Sequence, residues 1–373
     1  MNRFIHALPV AAGLCFFACL SHTASADDIT APAASTAAAP STVTMPAPAA
    51  ASSTSVQLGE IKVETQRLNR ARDTLNPETG TTSYHFDTQT IAALPQGANA
   101  PLQDVLLQAP GVAQDSFGQL HVRGDHADIQ YRINGIIIPE FISGFGDTLG
   151  SRFISKLDFL TGALPAQYGY RTAGIVNITT YQGADLDGGS VDLYGGSHAT
   201  FQPSLEYGGN DGALDYYGTA TYFQSDLGIE SPIAGNPGHD DTEQTRGFGY
   251  LSYLLNPDMR LSVMLGHSLG NFQLPDNPDQ QPAFTLNGRS TFDSSQVNET
   301  QRELNDYGIV SLQVSEEKLD YQVALFSRYS SVTFNPDPIA DLMFNGVAAQ
   351  IYRRNIDTGV QADASYAWDP ANT

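Results

Sequence analysis

Lys318-Leu319-Asp320-Tyr321-Gln322-Val323-Ala324-Leu325-Phe326-Ser327-Arg328-Tyr329-Ser330 decides the fold, because its side chains keep a period of two. Leu319, Tyr321, Val323, Leu325 and Tyr329 fall on one face, and Asp320, Gln322, Arg328 and Ser330 on the other. Successive strand residues point to opposite sides, so such a run divides an apolar environment from a polar one. Residues 355–366 repeat the pattern, with Ile356, Thr358, Val360, Ala362, Ala364 and Tyr366 opposite Asp357, Gln361, Asp363 and Ser365. Leu261, Val263, Leu265 and Leu269 do so against Ser262, Gly266 and Ser268. Weaker versions near 191–195, 201–207, 216–223, 244–255 and 307–314 bring the candidates to eight.

A half-buried soluble sandwich alternates too, but the connections separate the two. Short turns at 208–212, 256–258 and 315–317 interleave with long loops at 226–243, 272–300 and 334–351. Short turns at one end and long loops at the other mark an outer-membrane barrel. The three long loops hold 11 acidic residues against one basic residue, Arg289, which keeps the rim soluble or binds divalent cations and repels polyanions.

Composition agrees. The 373 residues hold 40 Asp plus Glu against 18 Lys plus Arg, a net charge of −22, with 34 Gly and 17 Tyr. Only three of the basic residues are lysines, so the basic footprint of a nucleic-acid binder is missing. Both cysteines, Cys15 and Cys19, lie in an apolar run, 7–20, that follows Arg3 and precedes Ala24-Ser25-Ala26. Residues 1–26 therefore read as a cleaved secretory signal, and the exported chain has no thiol chemistry. Residues 27–58, rich in Ala, Pro, Ser and Thr, read as a disordered tether.

Between tether and strands, residues 70–183 read as a compact α+β unit. Leu102–Gln108 has helical spacing and stops at Ala109-Pro110-Gly111; short strands follow at 120–124 and 129–133, the second ending in an Asn134-Gly135 turn. The succession DVLLQAPGV (104–112), VRG (122–124), YRINGI (131–136) and LDFLTGALPAQYGYRTAGIVNITT (157–180) resembles the plug domain of TonB-dependent outer-membrane receptors. The resemblance runs through the block in the family's order. It departs in having Asn134 where an acidic residue is common, and Thr161-Gly162-Ala163-Leu164-Pro165 where an Arg-Gly-Pro run is common.

The resemblance implies an α+β plug domain followed by antiparallel transmembrane β-barrel strands over 184–373. The eight strands are an incomplete set against the about 22 of a plugged transporter, as in a C-terminally truncated receptor. It assigns the plug motif to Arg123, Gly124, Asn134, Gly135, Gly162, Tyr168, Gly169, Gly174 and Asn177, with Arg123 held by buried carboxylates or wall charges. It makes Glu60, Ile61, Lys62, Val63, Glu64 and Thr65, within 59–69, the segment that contacts TonB by adding a strand; a lone plug strand is the alternative. Apical loops carrying Gln114, Asp115, Phe117, Glu140, Phe141 and Phe145 are the ligand-facing candidates.

The function implied is import of a scarce solute (a metal chelate, cobalamin or a saccharide) into the periplasm. TonB and its inner-membrane motor would supply the energy, and the outer-membrane lipid and lipopolysaccharide would surround the barrel. An exported structural or adhesive β protein and a nonfunctional truncated receptor are the rivals. His121, Asp125, His126 and Asp128 crowd together, but Gly124 is expected to break their register, so they read as solvated loop residues and no metal site is assigned. No nucleophile elbow, phosphate loop or dinucleotide fingerprint occurs, so no enzyme activity and no cofactor are expected.

Overall fold

The computed structural model describes residues 54–76, 78, 80–115, 118–126, 128–138, 145, 149–169, 171–229 and 238–368. The signal at 1–26 and most of the tether lie outside the described residues, as do Phe117, Glu140 and Phe141. The described part opens with helix α1 (Thr54–Thr74) and strand β1 (Thr81–Asp87). Two short helices follow, α2 (Thr88–Ala92), capped by Asp87, and α3 (Leu102–Leu106). Then come β2 (Val112–Gln114), β3 (Leu120–Val122), β4 (Asp125–His126), β5 (Ile129–Ile133), β6 (Ile136–Ile138), β7 (Ile154–Gly162) and β8 (Gly174–Thr180).

These strands form a five-stranded sheet in the order β1-β7-β8-β5-β6, with β5 and β8 parallel, and a three-stranded sheet β2-β3-β4. Their isoleucines and leucines make the core: Ile133, Ile136, Leu157, Phe159, Val176 and Ile178 are buried with Leu102, Val105 and Leu106 of α3. Asn134 (φ 50°) and Gly135 (φ 81°) make the β5–β6 hairpin, both in the left-handed region that a tight two-residue turn demands. This is the α+β plug expected.

Helix α4 (Gly183–Leu186) then leads into eight long strands: β9 (Gly188–Gly195), β10 (Phe201–Asp211), β11 (Leu214–Ser225), β12 (Thr242–Asn256), β13 (Met259–Gln273), β14 (Thr300–Ser315), β15 (Leu319–Asn335) and β16 (Ile351–Tyr366). They pair antiparallel in chain order into one sheet that does not close, and helix α5 (Pro338–Phe344) rides on the last long loop. The wall is inverted relative to a soluble protein. Polar Gln202, Ser252, Ser262, Ser311, Gln322 and Arg328 are buried, Gln202 and Gln322 reaching Asn99 and Asn134 of the plug, while Val191, Leu205, Leu251, Leu265, Leu325 and Val360 are exposed. An apolar outer band with a polar inner face is what strands need when lipid lies on one side. Among the described residues no helix is long and apolar enough to cross a membrane.

At four positions of this wall a glycine sits directly across the ladder from an aromatic ring that lies over it: Gly189 from Tyr207, Gly209 from Tyr216, Gly266 from Tyr307 and Gly359 from Phe326. Each ring lies over its glycine so closely that an added Cβ would collide with it.

One expectation fails at the N-terminal end. Residues 60–65 are not an extended arm but lie inside α1, and the tether assignment gives way to helix from Thr54. The alternation of Ile61 and Val63 suggested a strand, yet what anchors the segment lies further on. Leu68, Ala71, Arg72 and Leu75 are buried and recur at helical spacing.

Candidate functional site

The plug faces the polar side of the wall, and charged side chains knit the two together. Arg67 of α1 donates from Nη2 to Asp258 Oδ1 (2.7 Å) and Pro257 O (2.6 Å), and from Nη1 to Ser315 O (3.1 Å). All three acceptors lie at the short-turn end of the wall, so α1 is fixed there. Gln313 donates to Leu68 O, and Arg260 donates to Asn69 Oδ1 at 2.9 Å. Burial, with the Arg260 charge close by, pulls the Arg72 guanidinium down to about 10.

Arg152, two residues before β7, donates to Asp192 Oδ2 (2.7 Å) and Asn99 Oδ1 (2.6 Å) and lies 3.7 Å from Glu206. Phe153 stacks on Phe248 of the wall with centroids 4.3 Å apart. A small cavity of about 40 Å³ opens here, lined by Asn99, Arg152, Gln202, Thr221, Arg246 and Tyr307. It has room for water rather than for a solute.

The plug-motif residues have mostly local roles. Asn134 is buried; its Nδ2 donates to Thr180 Oγ1 at 3.0 Å and its Oδ1 accepts from Thr180 N at 3.2 Å, tying the hairpin to β8. Gly135 O accepts from Arg132 and from Gln361 of β16. The Arg132 guanidinium lies 5.1 Å above the buried Tyr168 ring, and burial pushes the Tyr131 hydroxyl up to about 12. Phe159 packs on Gly174, where a Cβ would come within 2.6 Å of its ring. Gly162 and Gly169 adopt positive φ (90° and 72°), and Asn177 lies opposite Asp158 and Arg132 in the sheet with its Oδ1 buried and unpartnered.

Arg123 departs from the role expected of it. It is exposed, with φ 52°, and its side chain lies along Gly111 and Gly162 instead of in a buried carboxylate cluster. Arg152, like Arg67 and Arg132, is a plug-side arginine that meets wall carboxylates, and nothing in its sequence neighbourhood marks it for that role.

Of the ligand-facing candidates, Gln114 is exposed and donates to Gly118 O at 3.1 Å, and Asp115 Oδ1 accepts from Gln119 N at 2.9 Å. Phe145 touches the wall near its long-loop end. Its N–H donates to Glu303 Oε1 at 2.8 Å, and its ring tilts against Phe272 at 5.7 Å. The loop after Gln114 packs against it, since Gly118 lies beside Phe145 O.

The strand does break at Gly124, and His121 and Asp125 do not share a face, but the break is a hairpin. Arg123 and Gly124 (φ 52° and 92°) form a two-residue turn, and His121 pairs directly with His126 across it. Asp115 joins this pair, whereas Asp128 turns away to Arg171 and Thr172. The long loops carry one further acidic contact: burial, and then a hydrogen bond to Asp341, push the Glu299 carboxyl up to about 7.

No family model and no curated protein matches the sequence. Solved structures do. The ferric enterobactin receptor PfeA from Pseudomonas aeruginosa (a double mutant) aligns at TM-score 0.56 and 15% identity, over 78% of this chain and 47% of that one. The siderophore receptor PirA from Acinetobacter baumannii aligns at TM-score 0.58 and 14% identity, over 76% and 45%. The copper transporter OprC aligns at TM-score 0.60 and 13% identity, over 79% and 44%. The chain spans about half the length of these structures and has the plug and wall fold that the resemblance to TonB-dependent receptors implied.

Proposed function

We propose that the chain is the plug and first eight wall strands of an outer-membrane receptor that binds a scarce solute outside the cell and admits it to the periplasm. The observation that carries this reading is the inverted wall. A plug held by Arg67, Arg152 and Gln313 covers a polar inner face, and the outer face is apolar. A soluble adhesive protein has no use for a sheet that buries glutamine and arginine and exposes leucine. The signal at 1–26 would deliver the chain to the outer membrane, where lipid and lipopolysaccharide surround the band. Iron- and copper-related names among the similar structures favour a metal or metal complex as the solute.

Energy would come through TonB and its inner-membrane motor, acting on Glu60–Thr65. Because these residues are helical, strand addition to TonB requires that half of α1 to unwind while Arg67 and Leu68 keep the other half on the wall. Deletion of Glu60–Thr65 should abolish energised uptake of radiolabelled metal chelate and leave surface binding of the chelate intact. Undiminished uptake overturns the TonB assignment. A product found in the soluble fraction, without heat-modifiable migration, overturns the receptor reading.

A further inference from the structure

We propose that Asp115, His121 and His126 form a binding site for a divalent transition-metal ion on the plug. The argument begins with the turn. Arg123-Gly124 closes β3 onto β4 so tightly that His121 and His126 face each other across the ladder, on the same side of the sheet. Their Nε2 and Nδ1 atoms are 3.0 Å apart, and the rings are tilted with centroids 4.5 Å apart. Asp115, one residue past the end of the neighbouring strand β2, brings Oδ2 to 3.5 Å from His121 Nε2. The three ligand atoms lie within 4.8 Å of one another.

These separations suit a cation. Two ligands about 2.0–2.1 Å from a zinc-type ion, subtending a tetrahedral angle, sit about 3.3 Å apart. The donor set is therefore close to the spacing an ion would impose, with little movement required. The Asp115 carboxylate is already oriented, since its Oδ1 takes the Gln119 amide while Oδ2 is turned to His121. Two imidazoles and one carboxylate favour zinc, copper(II) or nickel over calcium or magnesium, which take oxygen ligands. Three protein ligands leave a coordination position open, so the bound ion could accept a further ligand and exchange.

The plug has a second cluster, Glu78, His85 and Asp158, but it makes a poorer site. Lys156 Nζ lies 2.8 Å from Asp158 Oδ2, so an ammonium already supplies the positive charge there. The inference concerns the plug alone and stands apart from the receptor reading.

The test is a zinc titration of the untagged full chain in detergent by isothermal calorimetry, repeated with copper(II) and electron paramagnetic resonance. Circular dichroism checks that each variant is folded. The parent should bind one zinc, and the copper spectrum should carry coupling from two nitrogens. His121→Gln, His126→Gln and Asp115→Asn should each weaken binding about tenfold or more, and His85→Gln should leave it unchanged. No binding by the parent, equal affinity in all variants, loss confined to His85→Gln, or calcium bound as tightly as zinc would each overturn the proposal.

Discussion

Gly183→Ala tests how the plug is joined to its wall. Gly183 opens α4, and its backbone is pressed against the β10–β11 hairpin. A Cβ there would lie closer than 3.0 Å to Gly209 O and Tyr216 O and 2.7 Å from Gly209 N. All three are backbone atoms of a paired ladder, in which Gly209 lies opposite Tyr216, so no side chain can swing aside. Relief requires a shift of about 1 Å in the helix. That shift would break the two N–H bonds, from Gly183 and Ala184, that the buried Asp215 carboxylate accepts at 2.8 Å each. Overpacking costs about 1–3 kcal/mol, and each hydrogen bond to a charged group contributes roughly 1.5–3 kcal/mol. Together the loss should be on the order of 4 kcal/mol or more. Gly249→Ala is the control, because a Cβ on Gly249 meets nothing within 4 Å. Urea unfolding in detergent, followed by circular dichroism, reads the difference. If the two variants unfold at the same midpoint, the reasoning about this junction is wrong.

Two further outcomes follow from charges outside and beneath the wall. Arg152→Ala should lower stability by roughly 2–3 kcal/mol, because Asp192 and Glu206 lose their cation while Asp192 stays partly solvated; the same unfolding assay checks it. The Glu299 carboxyl titrates at about 7 in the fold against 4.5 ordinarily, so its stabilising contact is complete below about 4.5 and is lost as pH rises through 7. Protection factors in α5, corrected for the intrinsic pH dependence of amide exchange, should therefore fall between pH 5 and 8, and Glu299→Gln should remove most of that fall.

The eight wall strands were legible because their two faces, polar toward the plug and apolar outside, put opposite residues on alternate positions, as in Lys318–Ser330. The Asn134-Gly135 hairpin was legible because few other pairs tolerate two positive φ angles in succession. Helix α1 was misread for lack of weight given to Leu68, Ala71, Arg72 and Leu75, whose spacing outlasts the brief alternation at 60–65. The His121–His126 pairing was hidden because an arginine at φ 52° is an unusual first turn residue, and glycine after it suggested a break. Asp115 was invisible as their neighbour, since only the sheet brings it near. The grip of Arg152 on Asp192 and Glu206 likewise depends on tertiary distance alone.

The glycine–aromatic pairs of the wall solve a problem that alternation cannot. A hairpin that slips by one residue turns its leucines inward against the polar face, whereas a slip of two restores both faces. Such a slip would, however, move the Tyr307, Phe326 and Tyr216 rings off Gly266, Gly359 and Gly209 and onto residues with side chains of their own. If the wall spans a membrane as proposed, these sockets would penalise the one register error that hydrophobicity permits.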